Sequence, residues 1–370
     1  MDISYSRAEL AFRDEVREFL AQYAHVDGFY CQDERWPAVR AMFSAMAEKN
    51  WLALNWPAES GGLDRGPVYE YLLWDEVAFA RAARTPASSG IVARSIIRHG
   101  SAHQKSVYLP QIRSGEIHFC LCYSEPDAGS DLANLELKAT RDGDGYILNG
   151  QKRWQAHVQD ADYLWVLART GDAESGDGGL SLFLCDKSTP GISIAPVPSV
   201  YGDQLNDVFL ADVRIAATEL VGDENGGLPI VHEALADERH LQFLPGRVRR
   251  DLKDMVIWLN DHGLDRVPEV RSRMAELTAQ VMETEALGMK VLESIVKGKD
   301  ATVDAAMNKI GHTATCQDIA RAVLDIGGPQ ALLAGQPELV WRQSLAETIA
   351  GGTTEMMRSV VSRKFLGLAG

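Results

Sequence analysis

No apolar run in this sequence approaches the length needed to cross a bilayer, so no membrane span is expected. Positive charge is scarce as well: 37 lysines and arginines stand against 52 aspartates and glutamates, a net charge of −15. A nucleic-acid backbone needs a basic face, which excludes nucleic acid as a partner. A small ligand carrying phosphates is not excluded, because backbone amides and a few local cations suffice for one. The 5 cysteines (31, 120, 122, 185 and 316) are odd in number and scattered, with neither zinc-site nor disulfide spacing, which predicts a reducing compartment. Cys120 and Cys122, two apart in an extended run, fall on one face of a strand and read as small core residues rather than a redox pair. No signal-peptide pattern is present at the start; Ser6-x-x-Glu9 is a capping box that opens a helix at once, and a cytoplasmic location is expected. Internal repeats and low-complexity segments are missing too.

What is present is an ordinary globular composition spread over 370 residues, enough for two or three domains. Residues 1–117 read as helical, with apolar stripes at Phe12, Val16, Phe19 and Leu20, around Val39–Met46, and over Tyr69–Phe79; the Pro- and Gly-rich stretch Asn55–Gly66 separates two helices. Between 118 and 224 the period shortens. Seven β-rich runs follow one another: His118–Tyr123, Leu135–Arg141, Tyr146–Asn149, Tyr163–Arg169, Leu180–Cys185, Ile192–Ala195 and Asp207–Val213. Asp142-Gly-Asp-Gly145 signals a hairpin, and Asp172–Gly179 a flexible polar tip. From 225 to 370 longer helices return, broken at Gly222–Gly227 and Asn260–Pro268, with Ile310–Ile326 and Thr353–Phe365 among them. Composition and period alone predict an α+β protein of several domains.

Two stretches carry chemistry. Cys122-Tyr-Ser-Glu-Pro-Asp-Ala-Gly-Ser-Asp131 follows an apolar run and crowds hydroxyls into a turn; Pro126 sets the turn, and Gly129 lets the backbone approach a ligand. Ser124 and Ser130 can donate hydrogen bonds there. Taken alone, the segment reads equally as a side-chain-stabilised surface turn. Asn149-Gly-Gln-Lys-Arg-Trp154 ends in an aromatic able to cover a planar ring.

Together these stretches resemble the flavin-binding signature of the acyl-CoA dehydrogenases. The resemblance extends to Asn55-Trp-Pro57 with Gly61-Gly62, Gln104-Lys105 before Leu109-Pro110, Asn206-Asp-Val-Phe-Leu-Ala-Asp-Val-Arg214, Gly351-Gly-Thr-Thr-Glu-Met-Met-Arg358 and Leu366-Gly-Leu368, in family order and at family spacing. It implies an N-terminal helical domain over 1–117, a middle β-barrel-like domain over 118–224 and a C-terminal helical bundle over 225–370. It also implies FAD as cofactor, with Leu121, Tyr123, Ser124, Gly129 and Ser130 lining it, Ser124 near the pyrimidine edge and Ser130 on the pyrophosphate. Trp154 would cover one flavin face. Where the family has Thr or Ser two residues on, this chain has Ala156, flanked by Gln155 and His157. Arg358 and the Gly351-Gly-Thr-Thr354 helix start suit a phosphate or flavin edge, and Thr353 and Glu355, a residue that favours the helix dipole, are counted among the cofactor contacts.

The implied reaction removes the proton alpha to a thioester carbonyl while hydride leaves the beta carbon, and it requires a carboxylate base in a dry pocket. Many family members place that base just before the terminal Gly-Thr; Gly351 stands there. Another branch uses the Glu of a Glu-Arg pair on a helix. Asp237-Glu-Arg239 matches that branch and makes Glu238 the candidate base, against the alternative of an exposed helical glutamate. Ser130, Arg239 and Gly351 are the candidate substrate contacts. Pro245-Gly246 predicts a kink in the same helix. Family members present an Arg before Phe-Gly, and a Gln before Gly-Gly, to a neighbouring subunit's FAD. Here Arg247-Val-Arg-Arg250 lacks the Phe-Gly, and Asp325 occupies the Gln position ahead of Gly327-Gly328. The implied partners are an acyl-CoA, an electron-transfer flavoprotein and further subunits in a homodimer, homotetramer or heterotetramer. Two alternatives stay open: an oxidase, monooxygenase or desulfinase on the same scaffold, or a low-activity subunit of a heteromer.

Overall fold

The computed structural model describes residues 5–30, 32–172 and 176–368, without the side chains of 177, 237 and 239. Cys31, and residues 173–175 of the predicted polar tip, lie outside the described residues.

Five α-helices come first: α1 (Arg7–Gln22), α2 (Gln32–Glu48), α3 (Pro67–Phe79), α4 (Ala93–His99) and α5 (Ala102–Arg113). The predicted capping box forms at α1, where Ser6 Oγ accepts from the Glu9 amide and Glu9 accepts from the Ser6 amide. Ser101 and Gln104 repeat the device at α5. α3 is buried nearly all round because it packs on α1 on one side and on later helices on the other. It therefore buries three carboxylates, and each has a cationic partner: Glu70 with Arg94, Asp75 with Arg249 and Glu76 with Arg17. A single turn of π-helix, Ser88–Val92, leads into α4.

Eight strands follow: β1 (Phe119–Cys122), β2 (Lys138–Asp142), β3 (Gly145–Ala156), β4 (Tyr163–Arg169), β5 (Leu180–Asp186), β6 (Ile192–Val197), β7 (Leu205–Ala216) and β8 (Leu220–Val221). They form one sheet in the order β6-β7-β3-β2-β4-β5-β8, with β1 parallel to β4. The Asp142–Gly145 signal closes the β2–β3 hairpin as predicted. β4 is buried on both faces, which is why its run reads as continuous rather than alternating. On one face Leu164 and Val166 pack with Cys120 and Cys122. On the other, Trp165 and Leu167 pack against residues of α4, α5 and the helix after the sheet. Cys120 and Cys122 are buried thiols, in keeping with the core reading.

Seven helices complete the described chain: α6 (Gly227–Asp237), α7 (Arg239–Gln242), α8 (Pro245–Asp261), α9 (Pro268–Val296), α10 (Thr302–Gly327), α11 (Gln336–Glu347) and α12 (Thr354–Lys364). The predicted kink at Pro245-Gly246 is instead a full break. Pro245 starts α8, where its missing N–H costs nothing, and the Gly246 amide donates to Asp75 Oδ1 at 2.6 Å, drawing α8 onto α3. Among the described residues no helix is long and apolar enough to cross a membrane.

Candidate active site

The two sequence stretches meet through a buried ion pair. Lys152, fully buried on β3, reaches Glu125 Oε1 at 2.8 Å and the Tyr123 carbonyl at 2.9 Å. Glu125 also accepts from the amides of Glu136 and Leu137. Burial pulls the Lys152 ammonium below its ordinary value, and Glu125 works against that pull. Gln155 adds a second brace, its amide donating to the Ser124 carbonyl at 3.0 Å. The turn is thus held by its backbone and by Glu125, which leaves the hydroxyls of Ser124 and Ser130 without hydrogen bonds among the described residues. Leu121 is half-buried at the strand end; Gly129 is exposed, with open space where a Cβ would stand.

Beside this turn a bulge in β3 between Lys152 and Gln155 swings Trp154 out, at φ +67° and 49% exposed, with the Arg153 guanidinium 4.4 Å from its ring centre. Ala156 is half-buried, and its carbonyl accepts from Cys120 Sγ. Neither flanking side chain is free to replace the family's hydroxyl. Gln155 braces the turn, and His157 Nδ1 bonds Asp33 at 2.7 Å.

Glu238 sits between α6 and α7 and is 7% exposed, which rules out the exposed-glutamate alternative. It packs on the π-turn so tightly that a Cβ built on Gly90 would overlap its Oε1. The same turn ties to the sheet, since Ser88 Oγ accepts from the Phe119 amide at 2.8 Å. Burial raises the Tyr123 phenol well above its ordinary value, and the charge of Glu238 adds to the rise, so the turn and the carboxylate share one neighbourhood. Glu238 lines a cavity of about 150 Å³ together with Arg84, Arg247, His312, Glu347 and an apolar wall. The side chain of Arg239 lies outside the described residues.

Gly351 has φ +67°, and a Cβ there would stand 3.2 Å from Phe243 Cζ, so this backbone does not welcome a glutamate. Lys309, fully buried, donates to the carbonyls of Ala350 and Gly352 and holds that turn; burial lowers its ammonium to about 8. Thr353 caps α12 by accepting from the Met356 amide, while Glu355 and Arg358 are exposed on its first turns. Asp325, exposed near the end of α10, and Gly328 have no described bond to the turn at Ser124. Arg247, Arg249 and Arg250 are all committed within the chain, to Glu347, Asp75 and Asp254.

Sequence reading missed Gly90, the Glu125–Lys152 pair and His312. Only Lys152 carried a signal: the alternation from Tyr146 and Leu148 puts it on the inner face.

Models of the acyl-CoA dehydrogenase N-terminal, middle and C-terminal domains match residues 6–116, 120–213 and 225–366. The acyl-CoA dehydrogenase FadE26 of Mycobacterium tuberculosis is 32% identical, with 100% of this chain and 99% of that protein covered. Among solved structures, the Tcur3481-Tcur3483 steroid ACAD superposes with a TM-score of 0.91 at 30% identity over 100% of both chains. The ChsE4-ChsE5 complex from Mycobacterium tuberculosis gives 0.89 at 30% identity, again over 100% of both. The chain therefore belongs to the acyl-CoA dehydrogenase family and is an oxidoreductase of it; members are flavoproteins that generally bind FAD.

Proposed function

We propose that the protein binds FAD and oxidises an acyl-CoA thioester to the trans-2-enoyl-CoA, with Glu238 as the base. The observation that carries this reading is the burial of Glu238 in a cavity among the helices, with its charge felt at Tyr123, the residue before the Ser124–Ser130 turn. The residues fit the cofactor: two uncommitted serine hydroxyls, an open glycine and a half-exposed indole suit a flat ring carrying phosphates. Leu121, Tyr123, Ala156 and the α12 start at Thr353 and Glu355 would complete the cofactor's lining, with Ser130, Arg239 and Gly351 toward the thioester. FAD, when bound, accepts the hydride from the beta carbon. Glu238 takes the alpha proton, and its burial lets a bound acyl group exclude water from the carboxylate. Electrons would pass on to an electron-transfer flavoprotein. Domain boundaries near 117 and 224 and a cytoplasmic location belong to the same proposal.

The test is anaerobic titration of the purified protein with a panel of acyl-CoAs, steroid thioesters included, following flavin bleaching. Glu238→Gln is expected to lower the bleaching rate by about 10²–10⁴-fold with flavin content retained. Full turnover by this variant would remove Glu238 as base.

A second reading concerns assembly. Arg247, Arg249 and Arg250 are committed internally, and Asp325 stands exposed, where a neighbour's FAD would call for a free arginine and a neutral amide. This supports a heterotetramer in which another chain of the family completes the cofactor site, rather than a homodimer or homotetramer. A colourless protein when purified alone, turning yellow on co-expression with such a chain, is the expected result; a fully flavin-loaded homo-oligomer counts against it.

A further inference from the structure

Away from the cavity at Glu238, carboxylates gather around one imidazole where α2 meets the sheet. Asp33 lies in the first turn of α2, and His157 and Asp160 in the turn between β3 and β4. Each brings a potential ligand atom within 4.8 Å of the other two. His157 Nδ1 stands 2.7 Å from Asp33 Oδ1, and the Gln204 amide donates to Asp33 Oδ2 at 2.6 Å. The Asp33 side chain is 14% exposed and that of His157 26%, so the group is sheltered but within reach of a small solute. An ion pair between Asp33 and His157, pinning α2 to the sheet, accounts for two of the three residues. It leaves Asp160 unexplained, because Asp160 Oδ2 is buried with no hydrogen-bond partner among the described residues.

A third carboxylate points the same way. Asp203, in the loop before β7, is 2% exposed, and neither of its oxygens has a hydrogen-bond partner among the described residues. The charges of His157 and Asp33 and the Asp33 amide all act on it, so it faces the same cluster, although no donor comes into hydrogen-bonding geometry. The cations that act on these carboxylates are spent elsewhere. Arg84 bonds the Phe29 carbonyl and Gln343, and Lys187 bonds the carbonyls of Val158 and Gln159. Burial, and then the charge of Asp33, raise the Asp160 carboxyl to about 6, and burial raises that of Asp203 as well. Buried carboxylates that face one another without a partner are costly unless a cation stands between them. One imidazole with carboxylate oxygens is a donor set for Zn2+ or Mn2+, whereas Ca2+ and Mg2+ favour oxygen alone.

We infer that Asp33, His157 and Asp160 form a binding site for a divalent transition metal of the zinc or manganese kind, with Asp203 as the buried charge behind it. The metal clips the start of α2 to the end of β3, one residue beyond Ala156, and takes no part in the oxidation. The probe is ZnCl2 or MnCl2 alone, titrated calorimetrically into the chelator-treated full chain, with MgCl2 and CaCl2 for comparison and thermal unfolding followed in parallel. One Zn2+ or Mn2+ per chain, bound about tenfold or more tighter than Mg2+ or Ca2+, and a metal-dependent rise in Tm are expected. Asp160→Asn and His157→Gln are each expected to weaken binding by about 100-fold, and the exposed His103→Ala to leave it unchanged. In chelator, Asp160→Asn should unfold at or above the Tm of the metal-free parent, since it removes a buried charge that has no partner. A variant that merely misfolded would unfold lower. Absence of stoichiometric binding, preference for Ca2+ over Zn2+, or unchanged binding in Asp160→Asn and His157→Gln would overturn the inference. None of these outcomes bears on the dehydrogenase reading, which is tested by flavin bleaching.

Discussion

Ser124 and Ser130 keep their hydroxyls uncommitted at the edge of the sheet and Trp154 stands half exposed there, whereas Glu238, Arg247 and His312 lie buried among helices, with Arg247 paired to Glu347. The sheet side is shaped by backbone. One bulge and one buried ion pair set the turn, and the groups offered to a ligand do no structural work. On the helical side each functional group is also a packing element: Glu238 fills the space over Gly90, and Arg247 links α8 to α11 through Glu347. Substitutions on the two sides should therefore fail differently. At the sheet edge, side chains can be changed with little loss of stability while their buried anchor cannot. In the helices function and stability are entangled.

The largest expected effect sharpens that contrast at the anchor. Lys152→Met leaves Glu125 buried without its cation and should cost about 3–5 kcal/mol in denaturant unfolding, with flavin lost; adding Glu125→Gln should recover part of it. Equal stability of Lys152→Met and wild type would break the claim that this pair holds the turn. Next comes acid. Burial alone would raise the Glu70 carboxyl, but Arg94 and His240 outweigh it and hold the group at about 2, down from 4.5. A depressed carboxylate stabilises the fold above its unfolded pKa and loses that contribution as pH falls from about 4.5 toward about 2, on the order of 3 kcal/mol. Glu70→Gln should be less stable than wild type at pH 7 and flatter through that acid window, as followed by thermal unfolding across pH.

A smaller effect is expected at the π-turn. Gly90→Ala must push Glu238 aside, so kcat should fall about 10–100-fold while flavin content and KM change little. An active Gly90→Ala enzyme would mean that the position of Glu238 is not what matters. The smallest lies at the sheet edge, where Trp154→Ala should weaken flavin retention by about tenfold with unfolding stability nearly unchanged. A large loss of stability there would erase the distinction between the two sides.

The motif around Ser124–Ser130, the hairpin at Asp142–Gly145, the capping box at Ser6 and the helical stripes were legible because each is local: turn chemistry, caps and period depend on residues a few positions apart. The family, the α+β class and the order of helices, sheet and helices follow from those signals and their spacing. Tertiary structure alone decided the rest. That Glu238 is buried rather than exposed depends on a glycine nearly 150 residues earlier in the chain, and the bond between Glu125 and Lys152 joins a turn to a strand that only the tertiary fold brings together. His312 gave no sign in the sequence. A lone histidine on a long helix acquires chemical meaning only when its neighbours in space leave its nitrogen without a partner on the wall of a cavity.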